Sequence, residues 1–66
     1  MKKYLIIFTD ETEETIEAAT DWDAITEAKT FTRDKWTGGN DFYTEKLYPE
    51  HVYLLDEDGE REKEIY

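Results

Sequence analysis

Carboxylates are the only reactive side chains that this sequence supplies in quantity. Its 66 residues include 18 Asp and Glu against 8 Lys and Arg, which gives a formal net charge of −10. There is no Cys and no Ser, and His51 is the single histidine. The chain therefore lacks the residues for a Ser-His-Asp or Cys-His nucleophile. It also lacks the thiols for a disulfide or a zinc-thiolate site.

Acid–base catalysis by carboxylates requires a carboxyl group with a shifted pKa inside a pocket. A single domain of this size, with one helix on one sheet, leaves little room for such a pocket. The acidic residues are better explained as a solvated, charged surface, and we predict no catalytic residue. His51 follows Pro49 and Glu50 without a set of partner residues, so it is assigned no catalytic or ligand role.

A calcium-binding loop is suggested by the run Asp56-Glu57-Asp58-Gly59-Glu60. The EF-hand pattern requires glycine at its sixth position and glutamate at its twelfth. With Gly59 sixth, the first position is Leu54 and the twelfth is Ile65, and neither side chain can bind calcium. The run is therefore interpreted as a hairpin turn, and no metal or cofactor is predicted.

The negative charge and the hydropathy pattern exclude several classes of partner and location. Binding to bare nucleic acid or to an anionic membrane depends on Lys and Arg, so neither is expected. The apolar run after Met1-Lys2-Lys3 has five residues, whereas a signal peptide needs about 7–15 and a membrane span about 20. We expect a cytoplasmic protein. Aromatic residues make up 15% of the chain, which favours a folded domain over a disordered one.

The first half of the sequence predicts a β-hairpin followed by a helix. Residues 2–9 and 14–19 are strand candidates joined by a polar turn. Thr20 is a capping residue, and the helix is predicted to run from there to about Lys35. Gly38-Gly39-Asn40 should end this segment. The predicted apolar face of the helix comprises Ala24, Ile25, Ala28, Phe31 and Thr32.

The second half predicts further strands. Residues 42–48 form a weaker strand that Pro49 ends, residues 51–55 form a strand, and residues 60–66 return after the turn at Asp58-Gly59. The expected architecture is one α+β domain over residues 1–66, in the order β-β-α-(β)-β-β. An antiparallel sheet of four to five strands would carry one helix on one face. This fold serves many functions and indicates none of them.

The arrangement of the negative charges suggests a function. Glu60, Glu62 and Glu64 alternate on the last predicted strand, about 6.6–6.8 Å apart along one face. Three further carboxylates form a predicted stripe about 16 Å long on the helix: Asp23, Glu27 and Asp34. Fixed rows of this kind resemble the phosphates of DNA, and a basic channel could bind them. The net charge also exceeds the magnitude of about 2–8 that solubility requires.

The aromatic residues Phe42, Tyr43 and Tyr48 lie in a polar stretch of the sequence. Burial in the core is favoured over an interface role for these three. If they were exposed, they would form the contact surface of a general protein–protein interaction module, with the acidic residues serving only solubility. An exposed strand edge at residues 42–48 would also allow two copies to pair in a C2 dimer. The sequence therefore leaves two oligomeric states as alternatives, a monomer and a homodimer.

Four segments carry a family resemblance: residues 3–7, residues 14–20, the helix with Ala24, Ala28 and Lys29, and residues 52–65. Their layout resembles that of small phage-encoded anti-CRISPR proteins. These include short hairpin-helix-hairpin inhibitors of type I Cascade complexes and acidic mimics of double-stranded DNA. The resemblance implies an inhibitor that acts in the cytoplasm of a bacterial host. Some inhibitors with this layout bind through basic residues, whereas this chain is acidic, so no contact residue is carried over.

The charge geometry and the resemblance together predict a non-enzymatic inhibitor that mimics DNA. It would bind the basic nucleic-acid-binding site of a host defence or DNA-binding protein, for example a CRISPR effector subunit, and block target DNA. The residues predicted for the mimicking surface are Asp23, Glu27, Asp34, Glu60, Glu62 and Glu64.

Overall fold

A computed structural model describes residues 1–66 and shows an α+β fold with six strands and one helix. The elements are β1 (Lys2–Phe8), β2 (Glu13–Ala18), α1 (Asp21–Lys29), β3 (Thr32–Gly38), β4 (Asp41–Lys46), β5 (Pro49–Leu55) and β6 (Arg61–Glu64). Four strands form an antiparallel sheet in the order β2-β1-β5-β6, while β3 and β4 form a separate two-stranded sheet. The predicted fold class is confirmed.

Two polar turns fix the hairpins of the four-stranded sheet. At the first turn the Asp10 carboxylate accepts hydrogen bonds from the Thr12 amide at 3.1 Å and from the Thr12 hydroxyl at 2.6 Å. These bonds hold the pKa of Asp10 below its usual value. At the second turn the Asp56 carboxylate accepts from the amides of Asp58 and Glu60, both at 2.9 Å. The turn predicted at Asp58-Gly59 is therefore confirmed.

Helix α1 begins where the sequence predicts and ends earlier. The Thr20 hydroxyl accepts from the Asp23 amide at 3.1 Å and caps the first turn. The helix ends at Lys29, so the prediction that it reaches Lys35 is wrong. The β-branched Thr30 and Thr32 flank Phe31 at this point, and such residues are weaker helix formers than Ala or Leu. The Thr30 hydroxyl also donates back to the Glu27 carbonyl at 3.1 Å.

The hydrophobic core lies between α1 and one face of the four-stranded sheet. Ala24 and Ala28 of the helix are fully buried there, because alanine lets a helix approach a sheet closely. Phe31 packs against the core, with its ring centroid 5.3 Å from that of Phe8. The ten buried residues are Tyr4, Ile6, Phe8, Ile16, Ala18, Ala24, Ala28, Leu47, Val52 and Leu54.

The one polar atom that the Tyr4 side chain brings to the core has a partner. The Tyr4 hydroxyl donates a hydrogen bond of 2.7 Å to the Asp21 carboxylate at the start of α1. Burial and this bond raise the pKa of Tyr4 to about 12. The same bond lowers the pKa of Asp21. This contact joins the central strand to the first turn of the helix.

Residues 32–46, which comprise β3, its turn and β4, form a hairpin that we call the ribbon. The rest of the chain, residues 1–31 and 47–66, is called the body. Neither strand of the ribbon pairs with the four-stranded sheet. At its base the Leu47 amide donates to the Phe31 carbonyl at 3.1 Å, and Arg33 lies 3.4 Å from the Glu14 carboxylate.

The ribbon gives the molecule an elongated shape of 42 × 20 × 20 Å. Its radius of gyration is 13.3 Å, whereas a compact domain of this length would have about 11 Å. The only helix, α1, has nine residues and falls short of the length and apolar character that a membrane span needs.

Candidate functional site

The surface of the protein is dominated by carboxylates with few basic neighbours. None of the 18 acidic residues is buried. Arg33 lies within 4.0 Å of Asp10 and Glu14, and Lys63 lies 3.6 Å from Asp21. His51 contacts Glu50 and Glu64. The other carboxylates have no basic group within 4.0 Å, so their charge faces solvent without a local counterion.

This negative charge is divided unevenly between the two regions of the molecule. The ribbon carries three basic residues, Arg33, Lys35 and Lys46, and three acidic ones, Asp34, Asp41 and Glu45. Its formal net charge is therefore zero. The whole formal net charge of −10 belongs to the body. A basic partner would be attracted to the body and not to the ribbon.

The acidic stripe predicted on the helix is divided between two elements. Asp23 and Glu27 are exposed on α1, one turn and about 6 Å apart along its axis. Asp34 lies on β3, where its carboxylate accepts a hydrogen bond of 3.2 Å from the Thr44 hydroxyl of β4. The prediction of a single stripe of three carboxylates is wrong, because α1 ends before Asp34.

The acidic row predicted on the last strand is also changed by the structure. A register shift between Leu54 and Leu55 interrupts the pairing of β5 with β6. Glu64 pairs with Tyr53, and the Arg61 guanidinium lies 4.6 Å from the centroid of that same tyrosine ring. Arg61 and Glu64 therefore share a face, whereas strict alternation would place them on opposite faces.

The three glutamates of this segment are nevertheless exposed. Glu62 and Glu64 belong to β6, and Glu60 precedes it in the turn. The bond between Lys63 and Asp21 shows that β6 and the start of α1 are neighbours. Lys63 of β6 therefore lies at the first turn of α1, whereas Glu64 points to the sheet face that α1 does not cover, where it contacts His51. Asp34 lies apart from both on the ribbon.

The aromatic trio Phe42, Tyr43 and Tyr48 is exposed, so the expectation that it is buried in the core is wrong. The exposed fractions of these residues are 66%, 47% and 59%. Trp36 joins them with 63%. For Trp36, Phe42 and Tyr43 the physical reason is that the ribbon has no layer beneath it: none of its 15 residues is buried.

The pairing within the ribbon sorts its side chains onto two faces. Trp36 lies directly opposite Phe42, and Lys35 lies opposite Tyr43 on the other face. The Trp36 indole donates a hydrogen bond of 2.8 Å to the Gly39 carbonyl, which holds the ring across the turn. This constellation was missed by the sequence analysis. The available signal was a glycine-rich turn between two runs with aromatic and β-branched residues, a pattern typical of a hairpin.

A second surface is the sheet face that α1 does not cover. Its central side chains are half-buried and largely apolar: Leu5, Ile7, Tyr53 and Leu55. Charged residues surround them, and Lys3 faces Glu17 across the β1–β2 pair. Strand β1 lies inside the sheet, between β2 and β5. The helix buries one face, while the other stays partly open.

The structure has one cavity of about 530 Å³, which opens beside the β5–β6 turn and is lined by Met1, Lys2, Lys3, Leu54, Leu55, Asp56, Glu57 and Glu62. The three carboxylates among these residues are exposed. No three His, Asp or Glu side chains are grouped in a way that could hold a metal ion. Comparisons of the chain with protein-family models, curated proteins and solved structures found no match.

Proposed function

We propose that the protein is a non-enzymatic inhibitor that mimics DNA and binds the basic nucleic-acid-binding site of a host protein. A defence protein such as a CRISPR effector subunit is the target class we propose, and exclusion of its DNA is the mode of inhibition. The observation that carries this proposal is the surface charge. All 18 carboxylates reach solvent, and only Asp10, Glu14 and Asp21 have a Lys or Arg within 4.0 Å.

The amount of charge is comparable with that of DNA, although lower. A duplex as long as the 42 Å molecule would carry about 25 negative charges. The protein presents 18 carboxylates, and its formal net charge is −10. Individual exposed ion pairs contribute little, so the proposed affinity comes from many pairs formed at once. Such binding should weaken steeply as the salt concentration rises.

The proposed contact surface is the β6 edge of the body together with the adjoining helix α1. It comprises Asp23 and Glu27 of the helix, Glu60 and Glu62 at the edge, and Glu64 on the sheet face that α1 does not cover. Asp34 is left out of this surface, because it lies on the ribbon and accepts a hydrogen bond from Thr44. As a phage-encoded inhibitor, the protein would act in the cytoplasm of the infected bacterium.

The test begins with capture of partners from bacterial lysate on the immobilised protein. Bound proteins are eluted first with a salt gradient and, in a parallel sample, with duplex DNA, and both eluates are identified by mass spectrometry. We expect a DNA-binding protein that both treatments release. A partner that neither salt nor duplex DNA displaces would contradict mimicry.

A pair of matched variants tests which acidic surface is used. The first replaces Glu60, Glu62 and Glu64 with glutamine. The control replaces Glu11, Glu13 and Glu17, which are also exposed and belong to the β1–β2 hairpin. Each variant has three fewer negative charges. We expect the first to weaken binding of the captured partner at least about tenfold and the control to weaken it less. Equal losses would contradict the proposed surface.

The exposed aromatic residues of the ribbon favour a second candidate, a protein–protein interaction module. In that case Phe42 and Tyr43, together with the nearby Tyr48, would supply the contact, and the acidic residues would only maintain solubility. This alternative predicts binding that persists at high salt. Tyr43→Ala or Tyr48→Ala would abolish it, whereas the three glutamine substitutions in the 60–64 segment would not.

A further inference from the structure

Strand β4 has an outer edge whose backbone groups have no partner. One edge of β4 pairs with β3, and no backbone hydrogen bond joins residues 41–46 to any other strand. An exposed edge is a template for pairing with another strand. A two-stranded hairpin is also only marginally stable alone in water, and a sheet of more strands is more stable. Additional pairing at this edge would therefore stabilise the ribbon.

The distribution of charge indicates what can approach this edge. The ribbon has a formal net charge of zero, and the body carries all of the −10. Two copies of the chain repel each other wherever their bodies meet. Contact between two ribbons keeps the like-charged bodies apart. The ribbon is thus the region of the surface where a second copy meets the least repulsion.

The sequence of β4 is self-complementary in one antiparallel register. When Thr44 of one copy lies opposite Thr44 of the other, Tyr43 faces Glu45 and Phe42 faces Lys46. No like charges are opposed in this arrangement. If the centre moves to Tyr43, Asp41 faces Glu45; if it moves to Glu45, that residue faces itself. Like charges directly opposite one another destabilise a sheet, so both neighbouring registers are disfavoured.

The other edge of the ribbon, on β3, is less suited to self-pairing. A centre at Asp34 places that carboxylate opposite itself and Arg33 opposite Lys35. A centre at Arg33 or at Lys35 places two cations opposite each other. A register centred on Trp36 opposes no like charges, but it uses the irregular end of β3, where the register shifts between Trp36 and Gly38 and Gly38 has a φ of 125°. Such a bulge twists an edge away from regular pairing. The choice of β4 over β3 follows from the order of charges in the two strands and from this bulge.

We propose that two copies of the protein associate by pairing β4 with β4 about a two-fold axis at Thr44. The product is a continuous sheet in the order β3-β4-β4-β3. Lys46 then lies beside Phe42 of the second copy, and a cation can interact with an aromatic ring at this range. The acidic surface of the body takes no part in this contact, so the dimer is independent of the proposed inhibitor function.

The register can be tested by disulfide cross-linking, because the chain contains no cysteine. Residues directly opposite in an antiparallel pair have Cα atoms about 4.5–5.5 Å apart, within the range of a disulfide. Thr44→Cys should therefore cross-link. Thr32→Cys is the matched control, since both threonines are exposed and share one face of the ribbon. In the proposed dimer the two copies of β3 are separated by about 14 Å, three strand spacings. This distance is too long for a disulfide between the two Thr32→Cys side chains.

We expect Thr44→Cys to form the covalent dimer at least about tenfold faster than Thr32→Cys under mild oxidation. Equal rates for the two variants would overturn the proposed register. The experiment is performed at about 0.5 M salt, where the repulsion between the two bodies is screened.

Sedimentation equilibrium of the unmodified protein tests the dimer itself. We expect the dimer fraction to rise with salt, which is opposite to the salt effect expected for a complex with a basic partner. Thr44→Lys should raise the dimer dissociation constant at least about tenfold, because two ammonium groups would meet at the axis. Asp34 opposite Thr44 in the same ribbon offsets the new charge, so the monomer keeps its hairpin.

The control for this substitution is Thr26→Lys, which adds the same charge at an exposed helix position and should leave the dimer intact or tighter. Two results would overturn the proposal. One is a protein that stays monomeric at about millimolar concentration in high salt, where even weak edge pairing should be populated. The other is an equal effect of the two lysine substitutions.

Discussion

The body and the ribbon are built from the same chain but hold their shape in different ways. The body contains all ten buried residues and the entire net charge of −10. The ribbon contains no buried residue and has no net charge. In the body, apolar burial must therefore exceed the repulsion among carboxylates. In the ribbon, cross-strand pairs and the turn provide the stability, and these contributions are each small.

This contrast implies two levels of stability in one small molecule. Contacts at the base, such as the bond between Leu47 and Phe31, join the ribbon to the core. Beyond them, opening of the ribbon exposes little new apolar surface. Regions with few buried contacts open locally at a lower free energy than the core. The ribbon should therefore fray while the body stays folded, and each of the following substitutions tests that separation.

The largest expected effect comes from truncating an aromatic residue in each region. Phe8 is fully buried in the body, and Trp36 of the ribbon is 63% exposed. Phe8→Ala should reduce the free energy of unfolding by about 3–5 kcal/mol, most of the stability expected for a domain of this size. Trp36→Ala should cost under about 1 kcal/mol. Urea titration followed by far-UV circular dichroism measures both. Similar losses for the two variants would contradict the separation.

The bond between Tyr4 and Asp21 gives the body a second, smaller test. Tyr4→Phe keeps the ring in the core and removes the hydroxyl that donates to Asp21. We expect the Tm to fall by roughly 5 °C at neutral pH. The matched change in the ribbon is Tyr43→Phe, whose hydroxyl faces solvent in a side chain that is 47% exposed. This control should leave the Tm unchanged within about 1 °C.

The pH dependence of this effect follows from the two shifted pKa values. The pKa of Asp21 is lowered from 3.8, first by the hydrogen bond from Tyr4. A lowered native pKa contributes stability above the unfolded value, and this contribution is lost as the pH falls through the native value. The difference in Tm between wild type and Tyr4→Phe should therefore shrink below about pH 3.8. A difference that persists unchanged into strong acid would contradict the charge-assisted bond.

On the alkaline side the sign is the opposite. The pKa of Tyr4 is raised from 10.0 to about 12, first by burial and then by the bond to Asp21. A raised native pKa gives stability that is complete below pH 10 and is lost as the pH rises towards 12. The wild type should therefore lose stability through this window faster than Tyr4→Phe does. Thermal melts between these pH values make the comparison.

The sequence was sufficient to predict the strands, the helix start and the turns of the body, because its local signals there agree with its tertiary contacts. The apolar run Tyr4–Phe8, the Thr20 cap and the Asp58-Gly59 turn each predict the element that the structure contains. Two alanines at helical spacing identify the face of α1 that is buried. Where local conformational preference and the pattern of burial indicate the same element, that element can be predicted from the sequence.

The ribbon was misjudged because neither signal is strong there. Residues 30–35 can continue the helical pattern of Ala24, Ala28 and Phe31, and pairing with β4 decides the outcome instead. The aromatic residues of β4 also look like core residues in a linear sequence, and only the missing layer beneath them leaves them exposed. The acidic row on β6 was misplaced for a similar reason, since nothing local predicts the register shift between Leu54 and Leu55.

Salt should affect the two regions in different ways. Screening of the repulsion in the body should stabilise the protein, and we expect about 1 kcal/mol between low and moderate salt. A body variant with glutamine at Glu11, Glu13 and Glu17 should show a smaller increase in Tm with salt. The matched ribbon variant neutralises its three acidic residues, Asp34, Asp41 and Glu45, and it loses the same number of charges.

The ribbon variant should keep most of the wild-type salt response, because its lost charges lie outside the repelling body. Differential scanning calorimetry at several salt concentrations measures the slopes. If the two variants lose the same fraction of the response, the repulsion is a property of the whole surface. A protein that salt destabilises would show that attractive ion pairs outweigh the repulsion.

The smallest effects, and the clearest separation of the regions, come from one glycine in each turn. Gly39 of the ribbon has φ +57° and Gly59 of the body has φ +82°, and a Cβ at either position would contact nothing within 4 Å. Alanine at each site therefore costs only the strain of a left-handed backbone, about 1 kcal/mol. Gly59→Ala should lower the global free energy of unfolding by that amount, because the turn joins two strands of the main sheet.

Gly39→Ala should leave the global free energy of unfolding nearly unchanged, since the strain is released when the ribbon frays. Its effect should instead appear as faster hydrogen exchange at the amides of residues 32–46 alone. Equal losses of global stability for the two alanines would show that the ribbon unfolds together with the body.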